Sequence, residues 1–554
     1  MRELLLGPLV RYAGREEATV WIETDGPGEV EVRPHGVSPA TARTFSVAGH
    51  HYAIVRVRDL PGDTPTPYEV WLDEQRVWPQ AGSPFPPSVL RTHAADAPAR
   101  IVWGSCRVCA PHEPPYSLTK DEDDRGREVD ALRTYALGMR GEPPETWPHL
   151  LLLLGDQVYA DEVSRETLER IGRRRDLSQP PGEEVADFEE YTMLYRESWG
   201  EPVMRWLLST VPSAMIFDDH DVHDDWNTSA SWVHDIREQP WWRERITGAF
   251  MSYAVYQHWG NLPPDELEDD AFYTAVSEEE DGTAVLREFA RRADRELDGV
   301  RWSFCRDVGS ARVVVIDSRA GRILDPGHRS MVDADEWRWI GEHATGGHDH
   351  LVIATSLPLL LGPALHHAEA WNEAVCDGAW GPLAARVGEK LRRAADLEHW
   401  SAFHTSFEAF CGLLGDVAAG RRGPAPATIT VVSGDVHHAY LAEVGFRPEE
   451  DPHPPRSRVW QAVCSPFRNP LDSRERRGIL FTWTRAGGRI ARALARSAGV
   501  QDPPVGWRLA HPRPWFDNQV ARLELSGREA AFALDKAVPD EQDARLECVF
   551  ERSL

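Results

Sequence analysis

Leu150-Leu-Leu-Leu-Leu-Gly-Asp-Gln-Val-Tyr-Ala-Asp161 is the stretch on which the fold turns. Five leucines without a polar interruption describe a strand buried on both faces. The run stops at a glycine, which lets the backbone turn sharply, and hands over to Asp, Tyr and Asp. Four other apolar runs end in a similar way. They are Arg100-Ile-Val-Trp-Gly-Ser-Cys106, Ala214-Met-Ile-Phe-Asp-Asp-His-Asp221, Arg312-Val-Val-Val-Ile-Asp-Ser-Arg319 and Thr428-Ile-Thr-Val-Val-Ser-Gly-Asp-Val-His-His438. Residues just past the C-terminal ends of such strands converge on one crevice. The makeup of these tails predicts a two-metal hydrolase site.

Working outward, His350–Ser356 and Arg458–Cys464 read as two more strands, and Asp333–Ile340 and Glu389–Trp400 have helical spacing. Strands alternating with helices give a layered α/β domain. Upstream, Ala18–Glu23, Glu29–Arg33, His51–Val57 and Pro67–Leu72 are short alternating segments divided by turn residues, the spacing of a small antiparallel β-sandwich. Pro84, Pro86 and Pro87 mark a linker. The expected organisation is a sandwich over residues 1–97, a catalytic domain over 98–510 and a C-terminal β-hairpin extension over 511–554. Residues 474–498 set seven arginines among Ile, Leu and Ala, a basic amphipathic helix expected to pack on the acidic body, with lid or membrane-surface roles as the other readings.

The chain has 554 residues and a formal net charge of −28, which argues against a nucleic-acid surface. No stretch reaches the ~20 apolar residues of a membrane span. Seven cysteines with no paired spacing beyond Cys106-x-x-Cys109 argue against a disulfide framework. The start, Met1-Arg-Glu-Leu-Leu-Leu-Gly-Pro8, carries neither a signal-length apolar region nor a twin-arginine motif, so a cytoplasmic protein is expected.

Asp156 sits at a strand terminus where one carboxylate can bridge two metals, and Tyr159 and Asp161 can return to the same ion. Asp218-Asp-His-Asp-Val-His-Asp-Asp225 crowds carboxylates and imidazoles directly after a buried strand. Their repulsion requires cations or hydrogen bonds to neutralise it. Alternation puts Asp435 and His437 on one side, with His438 as ligand, substrate contact or support. Cys106 offers a thiolate to a soft or trivalent ion, or is a buried inert cysteine. Arg319 can neutralise phosphate by a bidentate contact, or pair with Asp317 or the acidic loop.

Gly104-Ser-Cys106, Gly155-Asp-Gln-Val-Tyr-Ala-Asp161, Asp218-Asp-His220 and Gly434-Asp-Val-His-His438, in that order, resemble the alkaline phosphatase D (PhoD-like) family of the calcineurin-like metallophosphoesterase superfamily, over roughly residues 1 to 470. The resemblance implies a four-layer α/β/β/α domain preceded by an N-terminal β-sandwich. It implies hydrolysis of phosphate monoesters or diesters by metal-activated water attacking phosphorus in line. Fe(3+) and Ca(2+) are the implied cofactors, with Mn, Zn or Mg as other occupants. Tyr159 would ligate ferric iron, Cys106 would be the thiolate ligand and Asp156 the bridging carboxylate. Asp219 would be a metal ligand, His220 the acid or phosphate contact, and Asp435 with His437 the last ligands. The substrate would be a small phosphate ester or a lipid head group. In this chain Asp221 stands where the family pattern usually has glutamate. A non-catalytic binding protein on a phosphatase fold is the alternative, against which four intact clusters argue.

Overall fold

The computed structural model describes residues 2–296, 300–446, 455–540 and 543–554. The strand Ala18–Thr24 is buried along its whole length, because its two sides face different partners. Val20 and Ile22 enter a core between two antiparallel sheets, with Val30, Val55 and Val70. Trp21 points the other way, into the large core of the following region, with Leu9, Phe45 and Tyr52. The first sheet orders Leu4–Ala13, Ala18–Thr24, His50–Val57 and Phe45–Val47; the second orders Ala40–Arg43, Glu29–Pro34, Thr66–Leu72 and Gln75–Trp78.

Two mixed sheets follow. The six-stranded sheet runs Ser213–Ile216, Leu150–Leu154, Ala99–Gly104, Gln519–Ser526, Glu529–Pro539, Ala544–Ser553, its first three strands parallel. The expected terminal hairpin therefore has three strands and completes this sheet, pairing antiparallel with Ala99–Gly104. The seven-stranded sheet runs Phe304–Val308, Ala311–Ile316, His350–Thr355, Thr428–Ser433, Arg458–Val463, Tyr440–Phe446, Val505–Leu509. Alternation sorts its side chains. Val313, Val315 and Val352 share a core with Trp103 and Leu152 of the other sheet. Val314, Leu351 and Ile353 pack with Ile340, Phe410 and Leu414 of the helices Ala334–His343 and His404–Ala418. Two helical readings need correction. The helix expected over Glu389–Trp400 is Pro382–Ala394, and Asp396 at φ +46° turns the chain out of it. The arginine-rich segment is two helices, Ser473–Thr482 and Arg485–Ser497. Among the described residues no helix is long and apolar enough to cross a membrane.

A buried arginine stitches the N-terminal sheets to the body. Arg11 is fully buried, and its guanidinium donates to the carbonyls of Tyr256 at 2.5 Å, Gln257 at 2.8 Å and Ser213 at 3.3 Å. Tyr253–His258 forms a π-turn within a longer helical stretch, and its loosened carbonyls turn toward the guanidinium. Arg306 adds the reciprocal link, donating to the carbonyls of Arg11 at 2.6 Å and Gly260 at 2.7 Å. Arg11→Met should leave those carbonyls unsatisfied and destabilise the protein by about 2–4 kcal/mol; the check is the midpoint of a urea unfolding curve, and an unchanged midpoint would remove Arg11 as the stitch.

Candidate metal centre

The strand ends of both sheets deliver their polar residues to one crevice. Ser105 Oγ accepts the backbone N–H of Asp435 at 2.9 Å, which joins a loop of the six-stranded sheet to one of the seven-stranded sheet. A Cβ on Gly434 would stand 2.2 Å from that hydroxyl, so the approach requires glycine. Three groups of potential ligand atoms meet here, each within 4.8 Å of one another: Cys106, Asp156 and His437; Asp156, Asp219 and His220; Asp218, Asp219 and Asp435. Asp156 is common to the first two. The Tyr159 hydroxyl donates to Asp156 Oδ2 at 3.4 Å and accepts from Asn469 Nδ2 at 3.3 Å.

The backbone here is held in an unfavourable conformation. Cys106, Asp156, Asp435 and His437 have φ of +56°, +52°, +67° and +50°, a region that costs a non-glycine residue on the order of 1–3 kcal/mol and persists only where the surroundings over-determine it. Asp221 supplies much of that determination. Its carboxylate accepts the N–H groups of Asp156 at 2.9 Å, Gln157 at 3.1 Å, Val158 at 3.2 Å and Asp218 at 2.9 Å. Asp317 does the same for Arg319, Ala320 and Gly321.

Electrostatics in the first group suits a cation. Burial, with Asp156 and Asp435 nearby, pushes the Cys106 thiol well above its usual range, and burial with Asp156 and Cys106 does the same to the Tyr159 phenol. Burial lowers His437 to about 3, leaving a neutral imidazole. Asp156 is raised by burial, an effect its neighbours Asp219 and Asp218 reinforce, and its Oδ1 is buried with no hydrogen-bond partner among the described residues. An orphaned carboxylate oxygen beside a thiol, a phenol and a neutral imidazole fits a bound cation, which would deprotonate the thiol and phenol.

Two residues take places other than those expected. Asp161 joins none of the three groups. Its oxygens lie 3.0 and 3.1 Å from His220 Nδ1 and one accepts the Asp224 N–H at 2.6 Å, so it orients His220 through Nδ1, and Nε2 lies 3.9 Å from Asp224 Oδ1. Arg319 is wholly buried, with Nε donating to Asp218 and Nη1 to Glu398 and Nη2 lying 3.2 Å from Asp219 Oδ1. Buried carboxylates hold it away from solvent, and its charge already balances the third group. Four contributors were not anticipated. Glu398 binds Arg319; His399 Nε2 lies 3.2 Å from Asp435 Oδ2 while its Nδ1 lies 2.7 Å from Glu369 Oε1; Asn469 meets Tyr159. The adjacent acid and imidazole of Leu397-Glu-His-Trp400 was the available signal, masked by helical spacing. His438 turns aside, with Nδ1 on the Val436 carbonyl at 2.6 Å. A cavity of about 950 Å³ opens beside the loop after Cys106, but none of the grouped residues lines it.

Comparison with known proteins places this geometry. A family model described as PhoD-like phosphatase matches residues 139–272, which contain Asp156, Tyr159, Asp219 and His220. That stretch of the chain is similar to PhoD-like phosphatases. Residues 1–90 match a model described as a domain of unknown function (DUF7800). A solved structure of PhoD aligns over 100% of this chain and 90% of its own at a TM-score of 0.61 and 11% identity. A purple acid phosphatase from yellow lupin (Lupinus luteus) seeds aligns over 99% of this chain and 73% of its own at 0.50 and 9% identity. These likenesses show that the chain shares the fold of the two phosphatases. No curated protein matches the sequence.

Despite burial, which disfavours its charged form, His220 is held well above the ordinary imidazole range by Asp161 and Asp219. Asp161→Asn removes the larger of these attractions, so in metal-free protein the His220 resonances should titrate at lower pH than in the parent. An unmoved NMR titration would show that Asp161 does not act on His220.

Proposed function

We propose that this PhoD-like chain is a metal-dependent phosphoric ester hydrolase acting on phosphate monoesters or diesters. The observation that carries the reading is Asp156, a buried carboxylate shared by two ligand groups at the ends of parallel strands. Cys106, Tyr159 and His437 with Asp156 would hold one cation, and Asp156 with Asp219 the other, with His220 beside it. The thiol and phenol favour ferric iron in the first position; the carboxylates accept calcium, manganese or magnesium in the second. When bound, such a pair polarises the phosphoryl group and supplies a water of lowered pKa.

The chain's own residues do the positioning. Asp161 holds the His220 ring through Nδ1, and that ring can hydrogen-bond a phosphoryl or leaving oxygen. Asp221 fixes the loop that presents Asp156. Arg319 balances Asp218 and Glu398, leaving the free oxygen of Asp156 for a cation, and acts on substrate only through these groups. His399, backed by Glu369, orients Asp435. The reading includes a four-layer α/β/β/α arrangement, supported by the core that the two mixed sheets share and by the helices on the outer side of the seven-stranded sheet.

Protein purified without chelator should contain near-stoichiometric iron and a second metal by elemental analysis, and should hydrolyse p-nitrophenyl phosphate or its bis-ester. Asp156→Asn should lower that turnover by more than roughly 100-fold, the upper end for losing only an outer partner of a metal ligand. Tyr159→Phe should abolish a visible charge-transfer band without unfolding the chain; an unchanged spectrum would sink the iron–tyrosinate assignment. A chain that takes up no metal on reconstitution would be a binding protein on a phosphatase fold.

A further inference from the structure

Among the described residues six large hydrophobic side chains stand exposed, from Leu391 at 40% to Leu383 at 75%; the others are Trp380, Val387, Phe481 and Ile490. They lie on two segments, Trp380 with the helix Pro382–Ala394, and the helical pair Ser473–Thr482 and Arg485–Ser497. Both segments pack on the same helix, Pro363–Cys376, and Trp380 Nε1 donates to the Ser497 carbonyl at 3.3 Å, so they meet. Gly487, Ala491 and Ala495 form the buried side of Arg485–Ser497, which leaves Arg485, Arg489 and Ile490 exposed. On Pro382–Ala394, Leu383, Arg386, Val387, Lys390 and Leu391 recur at i, i+3, i+4, i+7 and i+8, one helix face, and all five are exposed.

The charge of this face opposes that of the chain. Of the eleven basic residues on 382–394 and 473–497, Arg386, Lys390, Arg474, Arg477, Arg485 and Arg489 are exposed, while Arg492 and Arg496 pair with Asp502, Arg393 with Asp235 and Arg476 with Glu128, within a net charge of −28. Single exposed hydrophobics need no explanation, but a concentration of them rimmed by basic groups marks an interaction surface. A polyanion alone would be met by the arginines and would leave the aliphatic side chains without a use. A second copy related by a two-fold axis would set like charges against each other. We propose that this face docks on an anionic lipid bilayer, with Arg386, Lys390, Arg485 and Arg489 at the headgroups and Leu383, Val387, Phe481 and Ile490 in the acyl boundary. Ring contacts link the face to the loop that carries Asp435 and His437. Trp483, at the join of the helical pair, packs on Tyr440 with ring centroids 4.9 Å apart, and Tyr440 stacks on His438 at 5.3 Å.

The test is cosedimentation of the full chain with vesicles of phosphatidylcholine alone or mixed with phosphatidylglycerol. Binding is expected only with phosphatidylglycerol, and it should weaken as salt is raised. Arg485→Ala with Arg489→Ala should lower partitioning roughly 30-fold, and Leu383→Ser with Val387→Ser at least about tenfold. None of these four residues belongs to the crevice, so circular dichroism and metal content should match the parent. No binding to phosphatidylglycerol vesicles at low salt, or equal binding to both vesicle types, would overturn the proposal. So would a serine variant that binds like the parent, which would mean a simple polyanion contact. Vesicle-free self-association that the serine substitutions abolish would replace the lipid with a second copy.

Discussion

Buried negative charge at one crevice is the constraint on which the rest of the structure depends. Asp156, Asp218, Asp219, Asp221, Asp317 and Glu398 are all buried, and an isolated buried carboxylate is untenable without compensation. The chain uses three kinds of compensation. Asp221 and Asp317 are met by fans of backbone N–H groups. Asp218 and Glu398 are met by Arg319, with Arg322 adding to Glu398. Asp156 keeps an oxygen that no hydrogen-bond partner meets among the described residues. The division separates carboxylates met within the protein from oxygens on Asp156, Asp218 and Asp219 that no hydrogen-bond partner meets among the described residues.

The same division explains how strained backbone is tolerated. Left-handed conformations at Cys106, Asp156, Asp435 and His437 would relax if their loops were free. They are not free, because each follows a strand buried on both faces and each loop is tied to another. Asp221 ties the Asp156 loop to the Asp218 loop, and Ser105 ties the Cys106 loop to Asp435. Close approaches at glycine complete the fit, since a Cβ on Gly155 would stand 2.6 Å from the Asp218 Cβ. Strain at ligand positions is thus held by packing that extends through both sheets.

What the sequence makes legible follows from how local each signal is. A buried strand and the residues at its end are contiguous, so Cys106, Asp156, Tyr159, Asp219, Asp435 and His437 can be picked out from four short runs. Partners that arrive from elsewhere leave no such trace. Glu369 and Asn469 lie in segments without a motif, the Glu398-His399 pair is masked by helical spacing, and all four reach the crevice only through tertiary packing. Spacing also fails to fix direction: Asp161 is two residues from Tyr159 yet faces an imidazole, and Arg319 faces inward because the carboxylates there outnumber the cations. Alternation at the C-terminus identifies strands but not the sheet they join, and Ala18–Thr24 is buried on both sides because of a docking partner its own pattern does not reveal.

Charge is segregated in space, and the segregation has consequences for how an anionic substrate could be handled. A crevice of carboxylates repels a phosphate ester, whereas bound cations would invert the sign of the local field, so on the proposed function metal loading would precede substrate binding. The exposed arginines on 382–394 and 473–497 act independently of that inversion. At physiological ionic strength the screening length is about 8 Å, shorter than the span of a domain, so the acidic remainder of the chain does not cancel their attraction for an anionic surface. One molecule can therefore present a cation-seeking interior and an anion-seeking exterior, each set by the residues within its own screening distance rather than by net charge.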